Sequence, residues 1–287
     1  MRRVLCLSAV LAAACESGPR LVRAAPAQVR DAAAIRVVTF NLYNRPWKRA
    51  QRLRTQAAVL RRLDPDVVGL QELATGALLS GEPASRFASE LDLGGVRAWH
   101  EQNLGLFRTG VGLLSRYPLR EVEYREFDRA PFWDAKGFLS AVVDTPRGSF
   151  AVISVHVAST DDLRTQQSEL DQLAAQVRML AAQRPVLLLG DFNLQPADAP
   201  LSRFIAGLGA DSLYAHIADL HPSWNESFED DCGAPGGQLI DHVLTVPGPR
   251  AILRFRGGRI VVPPDTPHPS DHCPVTADLE LVPLNAR

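Results

Sequence analysis

Lysine is nearly absent from this chain: Lys48 and Lys136 are the only two, and arginine carries the remaining positive charge, a bias that reads as genomic composition. Lys and Arg total 31 against 32 Asp and Glu, so the formal net charge is −1. No global basic field therefore marks a nucleic-acid binder, although a local patch is still permitted. No internal repeat, low-complexity tract or linker divides the 287 residues, which are read as one large domain with an ordinary hydrophobic content of 46%. The apolar run at the N-terminus, Val4 to Ala14, is far shorter than the roughly 20 residues that span a bilayer. Cysteine is scarce as well, with four in all, too few for a disulfide-dense scaffold.

What the N-terminus does contain is an export signal. Met1-Arg-Arg is a basic start, Val4 to Ala14 is the apolar stretch, and Ala12-Ala13-Ala14 supplies small residues before a cut. Residues 1–14 are thus expected to be removed. Cys15 follows directly and resembles the acceptor of a bacterial lipoprotein, with Ala12 where leucine is commoner; lipidation and plain cleavage both stay open. The expected location is outside the cytoplasm: periplasmic, outer-membrane lipoprotein or secreted. Residues 15–34 are Ala-, Arg- and Pro-rich without period and read as a flexible tether, leaving 35–287 as the folded domain. Cys232 and Cys273 are the body's two cysteines; export permits a disulfide, and two separate buried thiols are the alternative.

In the body, β-branched and apolar runs predict strands at Ile35–Phe40, Val67–Leu70, Val111–Ser115, Leu139–Val143, Phe150–Val155, Val186–Leu189, Leu239–Leu244 and Val275–Leu281. Helical spacing appears over Arg52–Leu63, over Leu163–Leu180 with Ser159 or Thr160 as cap, and near Leu201–Ala206. His221 to Gln238 is irregular. This order lacks strict βαβ alternation. It fits an α+β fold: a four-layered α/β sandwich with two packed, mainly antiparallel sheets flanked by helices.

Strand after strand ends in a polar residue: Asn41, Glu72, His156, Asp191 with Asn193, Asp241, and Asp271-His272 before the last strand. Any one of these has an ordinary structural explanation as a turn, cap or solvated charge. Together they are the inventory for a divalent cation held by oxygen ligands, with bases to move protons. In Gly190-Asp-Phe-Asn193, alternation along an extended backbone would place Asp191 and Asn193 on one face.

Thr39-Phe-Asn41, Leu70-Gln-Glu72, Gly112-Leu-Leu-Ser-Arg-Tyr-Pro118, Ser154-Val-His156, Gly190-Asp-Phe-Asn193, Ile240-Asp241 and Ser270-Asp-His272 resemble, in order, the motifs of the endonuclease/exonuclease/phosphatase superfamily over about residues 35 to 282. The resemblance implies a metal-dependent phosphoric ester hydrolase using Mg²⁺, with Mn²⁺ as substitute. It makes Glu72 the principal metal ligand, assisted by Asn41 and Asp271. It makes Asp191 the group that activates water and Asn193 its companion, and it sets His272, braced by Asp241, and His156 toward the phosphate. Tyr43 stands where abasic-site endonucleases have an acidic residue, which argues against a repair nuclease. Gly110-Val-Gly112 and His242 also depart from the common pattern.

For substrate, Asp134-Ala-Lys-Gly-Phe138 is similar to the Lys-Gly segment of sphingomyelinases and makes Lys136 a substrate-binding candidate. Phe132 and Trp133 ahead of it form an aromatic pair suited to a membrane interface or to a core. A phospholipid is therefore the favoured phosphodiester. The alternatives are nucleic acid, for which Arg108, Arg116, Arg120 and Arg125 would have to line a groove, and an inactive binding module on the same fold. A monomer is expected.

Overall fold

The structure, a computed structural model, describes residues 18–26, 33–43, 48–76, 82–102, 107–128, 136–226, 232–264 and 268–284. The leader, Cys15, Phe132 and Trp133 lie outside the described residues.

Among the described residues, thirteen strands fall into two sheets. The first comprises β1 (Arg20–Arg23), β2 (Ile35–Asn41), β3 (Val67–Gly76), β4 (Gly94–Gln102), β5 (Phe107–Ser115), β12 (Ala251–Ile260) and β13 (Val275–Pro283). Their spatial order is β1-β4-β5-β3-β2-β13-β12. The second comprises β6 (Leu119–Glu126), β7 (Gly137–Thr145), β8 (Gly148–His156), β9 (Val186–Asp191), β10 (Asp211–Ser212) and β11 (Asp241–Val246), in the order β10-β11-β9-β8-β7-β6. Each sheet is antiparallel except at one pair: β2 runs parallel to β3, and β8 parallel to β9. A parallel pair needs a crossover, supplied by α1 (Arg49–Leu63) in the first sheet and α3 (Leu163–Ala181) in the second.

The helices cover the outer faces. Leu53, Ala57, Leu60 and Leu63 of α1 and Phe87 of α2 (Pro83–Glu90) cluster with Val38, Phe40, Val68 and Leu70. Leu170, Leu173 and Val177 of α3 and Leu201 and Phe204 of α4 (Ala199–Leu208) cluster with Ile153, Val155, Val186 and Leu188. Between the sheets, Val37, Val67, Leu113, Leu139, Val152, Leu187, Leu189 and Val243 form the central core. The central strands β2, β3, β8 and β9 are thus buried on both faces, which is why they read as unbroken apolar runs. Helix α1 begins at Arg49, earlier than its apolar stripe, and stops where Asp64 turns to φ 45° before Pro65. Helix α3 is capped by Asp162, whose carboxylate accepts from Arg164 N–H at 3.0 Å, not by Ser159 or Thr160.

The stretch expected to be tether differs in one place. Arg20–Arg23 pairs antiparallel with β4 as an edge strand, and Arg23 donates to Ala88 O and to Asp92.

Candidate active site

Register aligns the chemistry. His156 of β8 pairs with Asp191 of β9, Asp191 with Asp241 of β11, and Gly137 of β7 with His156, so one row crosses the second sheet at its rim. Residues in one row share a face. Asp191 follows Leu187 and Leu189 in the two-residue rhythm, so it points, like them, toward the facing sheet. Asn41 ends β2 on the corresponding rim, above Val37 and Thr39. Its Nδ2 donates to Asp191 Oδ2 at 2.9 Å, joining the two sheets. Beneath them, Gln71 Nε2 donates to Ser154 Oγ at 3.1 Å and Thr39 Oγ1 to Gln71 Oε1 at 3.2 Å, fastening the sheets below the rim. Gly190 is required here, because a Cβ at this position would lie 2.3 Å from Val155 O.

Glu72 reaches the site by an irregularity. The pairing of β3 with β5 slips between Leu70 and Leu73, and Glu72 sits in the left-handed region at φ 51°. Simple alternation would send residue 72 outward with Leu70; the bulge turns it inward, where Glu72 Oε1 lies 3.4 Å from Asn41 Nδ2.

His272 is held between carboxylates. Its Nδ1 is 2.8 Å from Asp241 Oδ2, and its Nε2 faces Asp191 Oδ2 at 3.8 Å. Burial alone would lower its pKa, but Asp241, Asp271 and Asp191 outweigh burial and raise it to about 10, so the ring is an imidazolium at neutral pH. Asp191 is raised as well, to about 7 by burial, with His272 resisting. A base with a pKa near the working pH is well matched to proton abstraction. Asp271 is raised to about 6 by burial, opposed by His272 and reinforced by Glu72.

His156 Nε2 lies 3.4 Å from Asp191 Oδ2 and 3.2 Å from Lys136 Nζ, so Lys136 is buried against the histidine within the site. Asn193 departs from the expected alternation. Strand β9 stops at Asp191, and Asn193 adopts φ 49°. Its backbone N–H donates to Asp191 Oδ1 at 2.9 Å, while its Nδ2 donates to Val157 O at 2.8 Å. It serves Asp191 through its backbone.

Residues 38–272 match the profile of the Endonuclease/Exonuclease/phosphatase family. The chain belongs to this family. No curated protein matches it by sequence. Its fold is similar to that of an endonuclease/exonuclease/phosphatase from Beutenbergia cavernae, with a TM-score of 0.71 at 20% identity, covering 88% of this chain and 72% of that one. It is also similar to the human nocturnin catalytic domain solved with bound sulfate (TM-score 0.68, 16% identity, 92% and 98% covered). A third is a mannosyl-6-phosphatase from Bacteroides thetaiotaomicron (TM-score 0.66, 16% identity, 86% and 99% covered). Members of the family are hydrolases acting on phosphate esters, so the coarse chemistry of this chain is that of a phosphoesterase.

Among the described residues of this family member, two sets could hold a divalent cation. Asp191, Asp241 and His272 bring ligand atoms within 4.8 Å of one another. There, however, both His272 nitrogens face carboxylates and the imidazolium already offsets their charge. Glu72, Asn41 and Asp271 form an oxygen-rich set in which the Glu72 carboxylate helps to raise the pKa of Asp271. Hard oxygen donors of this kind suit a cation such as Mg²⁺.

The described residues of the stretch His221 to Gln238, with Tyr214, support this rim. Ser223 Oγ donates to Asp241 Oδ2 at 2.8 Å and accepts from the Ile240 and Asp241 N–H groups at 3.1 Å. Trp224 Nε1 donates to Asp271 Oδ2 at 3.3 Å, and the Tyr214 hydroxyl donates to Asp241 O. Cys232 of this stretch is disulfide-bonded to Cys273, the residue after His272, at a sequence separation of 41. A loop of that length implies about 4 kcal/mol of stabilisation in the chain-entropy picture. Ser223 and Trp224 carried no periodic or motif signal that would have singled them out.

His242 is buried between Phe192 and Tyr214, with Nε2 donating to Leu194 O at 2.8 Å. Burial lowers its pKa to about 4. The unfolded chain takes up a proton near pH 6.5 that the folded protein refuses. Its contribution is therefore complete above 6.5 and lost as pH falls toward 4, by on the order of 3 kcal/mol. Calorimetric Tm should drop more steeply between pH 6.5 and 4.5 in the wild type than in His242→Phe. Equal slopes would show that the histidine is not responsible.

Proposed function

We propose that the protein is an exported, Mg²⁺-dependent phosphodiesterase whose substrate is of the phospholipid type. The observation that carries the hydrolytic reading is the continuous line Asn41–Asp191–His272–Asp241 across the rim, with Glu72 bonded at one end. Asp191 takes a proton from the attacking water. Asn41 and the Asn193 N–H fix the carboxylate's orientation for that transfer. The His272 imidazolium donates a hydrogen bond from Nε2 to a phosphoryl oxygen, and Asp241, bonded at Nδ1, keeps the ring oriented and charged. Lys136 and His156 add hydrogen-bonding groups on the opposite side of Asp191. Glu72, Asn41 and Asp271 would hold the cation, which when bound supplies charge neutralisation for the phosphoryl oxygens.

Export is supported by the leader and by the Cys232–Cys273 disulfide, a bond suited to an oxidising compartment. The lipid preference is supported by the Lys136-Gly137 segment at the site and by the fate of the arginines that a nucleic-acid groove would need. Arg116 pairs with Asp64 and Asp66, Arg120 with Asp144, and Arg125 with Glu123. Arg116 follows Ser115, whose partner Val67 opens β3, and Arg120 pairs with Val142, so both lie at the far end of the sheets. The Arg108 side chain is outside the described residues.

Purified protein with Mg²⁺ should release choline phosphate from sphingomyelin vesicles while leaving supercoiled plasmid largely intact. Efficient nicking without choline phosphate release would make it an extracellular nuclease instead.

A further inference from the structure

Helix α1 lies outside the catalytic rim, yet one of its residues reaches both segments that carry the proposed cation donors. Gln56 is 1% exposed. Its Nε2 donates to Leu42 O at 2.8 Å, one residue beyond Asn41, and to Pro269 O at 2.8 Å, two residues before Asp271. These carbonyls belong to parts of the chain more than 200 residues apart. Only the NH₂ end of the amide can donate to both, which fixes its orientation. Gln56 Oε1 is left buried without a hydrogen-bond partner. Leaving such an oxygen unmade costs stability, so the side chain is oriented for the two carbonyls at its own expense.

Two further bonds reinforce the junction. Ser270 Oγ donates to Asn41 O at 2.8 Å, and Arg52, one turn before Gln56, donates to Tyr43 O at 2.6 Å. Leu53, Ala57 and Leu60 anchor the helix in the outer core, so Gln56 projects from a rigid element.

We propose that Gln56 is a positioning residue that sets the spacing between Asn41 and Asp271 and thereby the protein's affinity for its divalent cation. The proposal rests on the metal reading above. Gln56 touches neither the cation nor the substrate; it fixes the backbone on which two oxygen donors stand. Residues that orient metal ligands commonly change metal affinity by about 10- to 100-fold when lost.

The test is calorimetric titration of the full chain with Mn²⁺, alongside Tm measured without metal. Gln56→Met keeps the length and removes both donated bonds. Gln56→Glu keeps the shape and, when protonated, can donate only one. Mn²⁺ affinity should fall about tenfold or more in Gln56→Met, with Gln56→Glu between it and the wild type. A role in folding alone would lower Tm without ordering the affinities this way. Folded variants binding Mn²⁺ as tightly as the wild type would overturn the proposal, and Gln56→Glu decides if Gln56→Met does not fold. Failure of the wild type itself to bind Mn²⁺ would overturn the metal reading instead, and this proposal with it.

Discussion

Asp191→Asn should reduce phosphodiester hydrolysis by about 10²- to 10⁴-fold, the range expected for losing a positioned general base. The substitution keeps the shape, and its amide oxygen can still accept from Asn41 Nδ2, which now donates at 2.9 Å. What disappears is a carboxylate raised to about 7 by burial, a group suited to accept a proton from water at neutral pH. A 10³-fold loss corresponds to about 4 kcal/mol of transition-state stabilisation. His272→Ala should cost about 10²- to 10³-fold, as expected for removing one preorganised donor to the developing phosphoryl charge. Asp241→Asn should be milder, because an amide oxygen can still accept from His272 Nδ1. Its effect should instead appear as a His272 titration moved down from about 10, since Asp241 is the foremost carboxylate sustaining the charge. Steady-state rates over a pH series on folded variants check all three. Near wild-type rates throughout would mean the catalytic assignment is wrong.

The parts of the fold that could be read from the sequence are those the architecture buries most completely. Strands β2, β3, β8 and β9 have apolar neighbours on both faces, so Val186-Leu-Leu-Leu189 and Phe150-Ala-Val-Ile153 stand out as runs. The edge strands do not. Strand β6 is Leu-Arg-Glu-Val-Glu-Tyr-Arg-Glu, exposed along much of its length, and β12 places arginines between its apolar residues. Solvated edges dilute the alternation that reveals a strand.

The same logic divides the site. His156 and Asp191 close β8 and β9 and Asp241 opens β11, all in one row, so a pattern of polar residues at the ends of apolar runs locates them. Glu72 was visible as a residue, but its inward turn depends on a bulge that alternation does not foresee. Asn193 fails the alternation rule for the same reason, because its backbone has already left the strand. Ser223, Trp224 and Gln56 matter through partners 14 to 213 residues away, and no local pattern encodes such pairings.

Hydrolysis should also depend on a divalent cation, and this is the larger effect. Glu72 and Asp271 place two carboxylates where each disfavours the other's charge, and Asn41 contributes an amide to the same corner. Without a cation, the phosphoryl group would meet this negative charge directly, and like charges a few ångströms apart repel strongly in a partly buried site. Glu72→Gln should therefore raise the Mg²⁺ requirement by about tenfold or more while leaving the fold intact, as expected when a metal site loses an anchoring oxygen charge. Turnover of bis-p-nitrophenyl phosphate by the purified protein, first in excess chelator and then with Mg²⁺ or Mn²⁺ restored, tests the central claim most directly. The account predicts background hydrolysis in chelator and full recovery on adding either metal; undiminished turnover in excess chelator would contradict it.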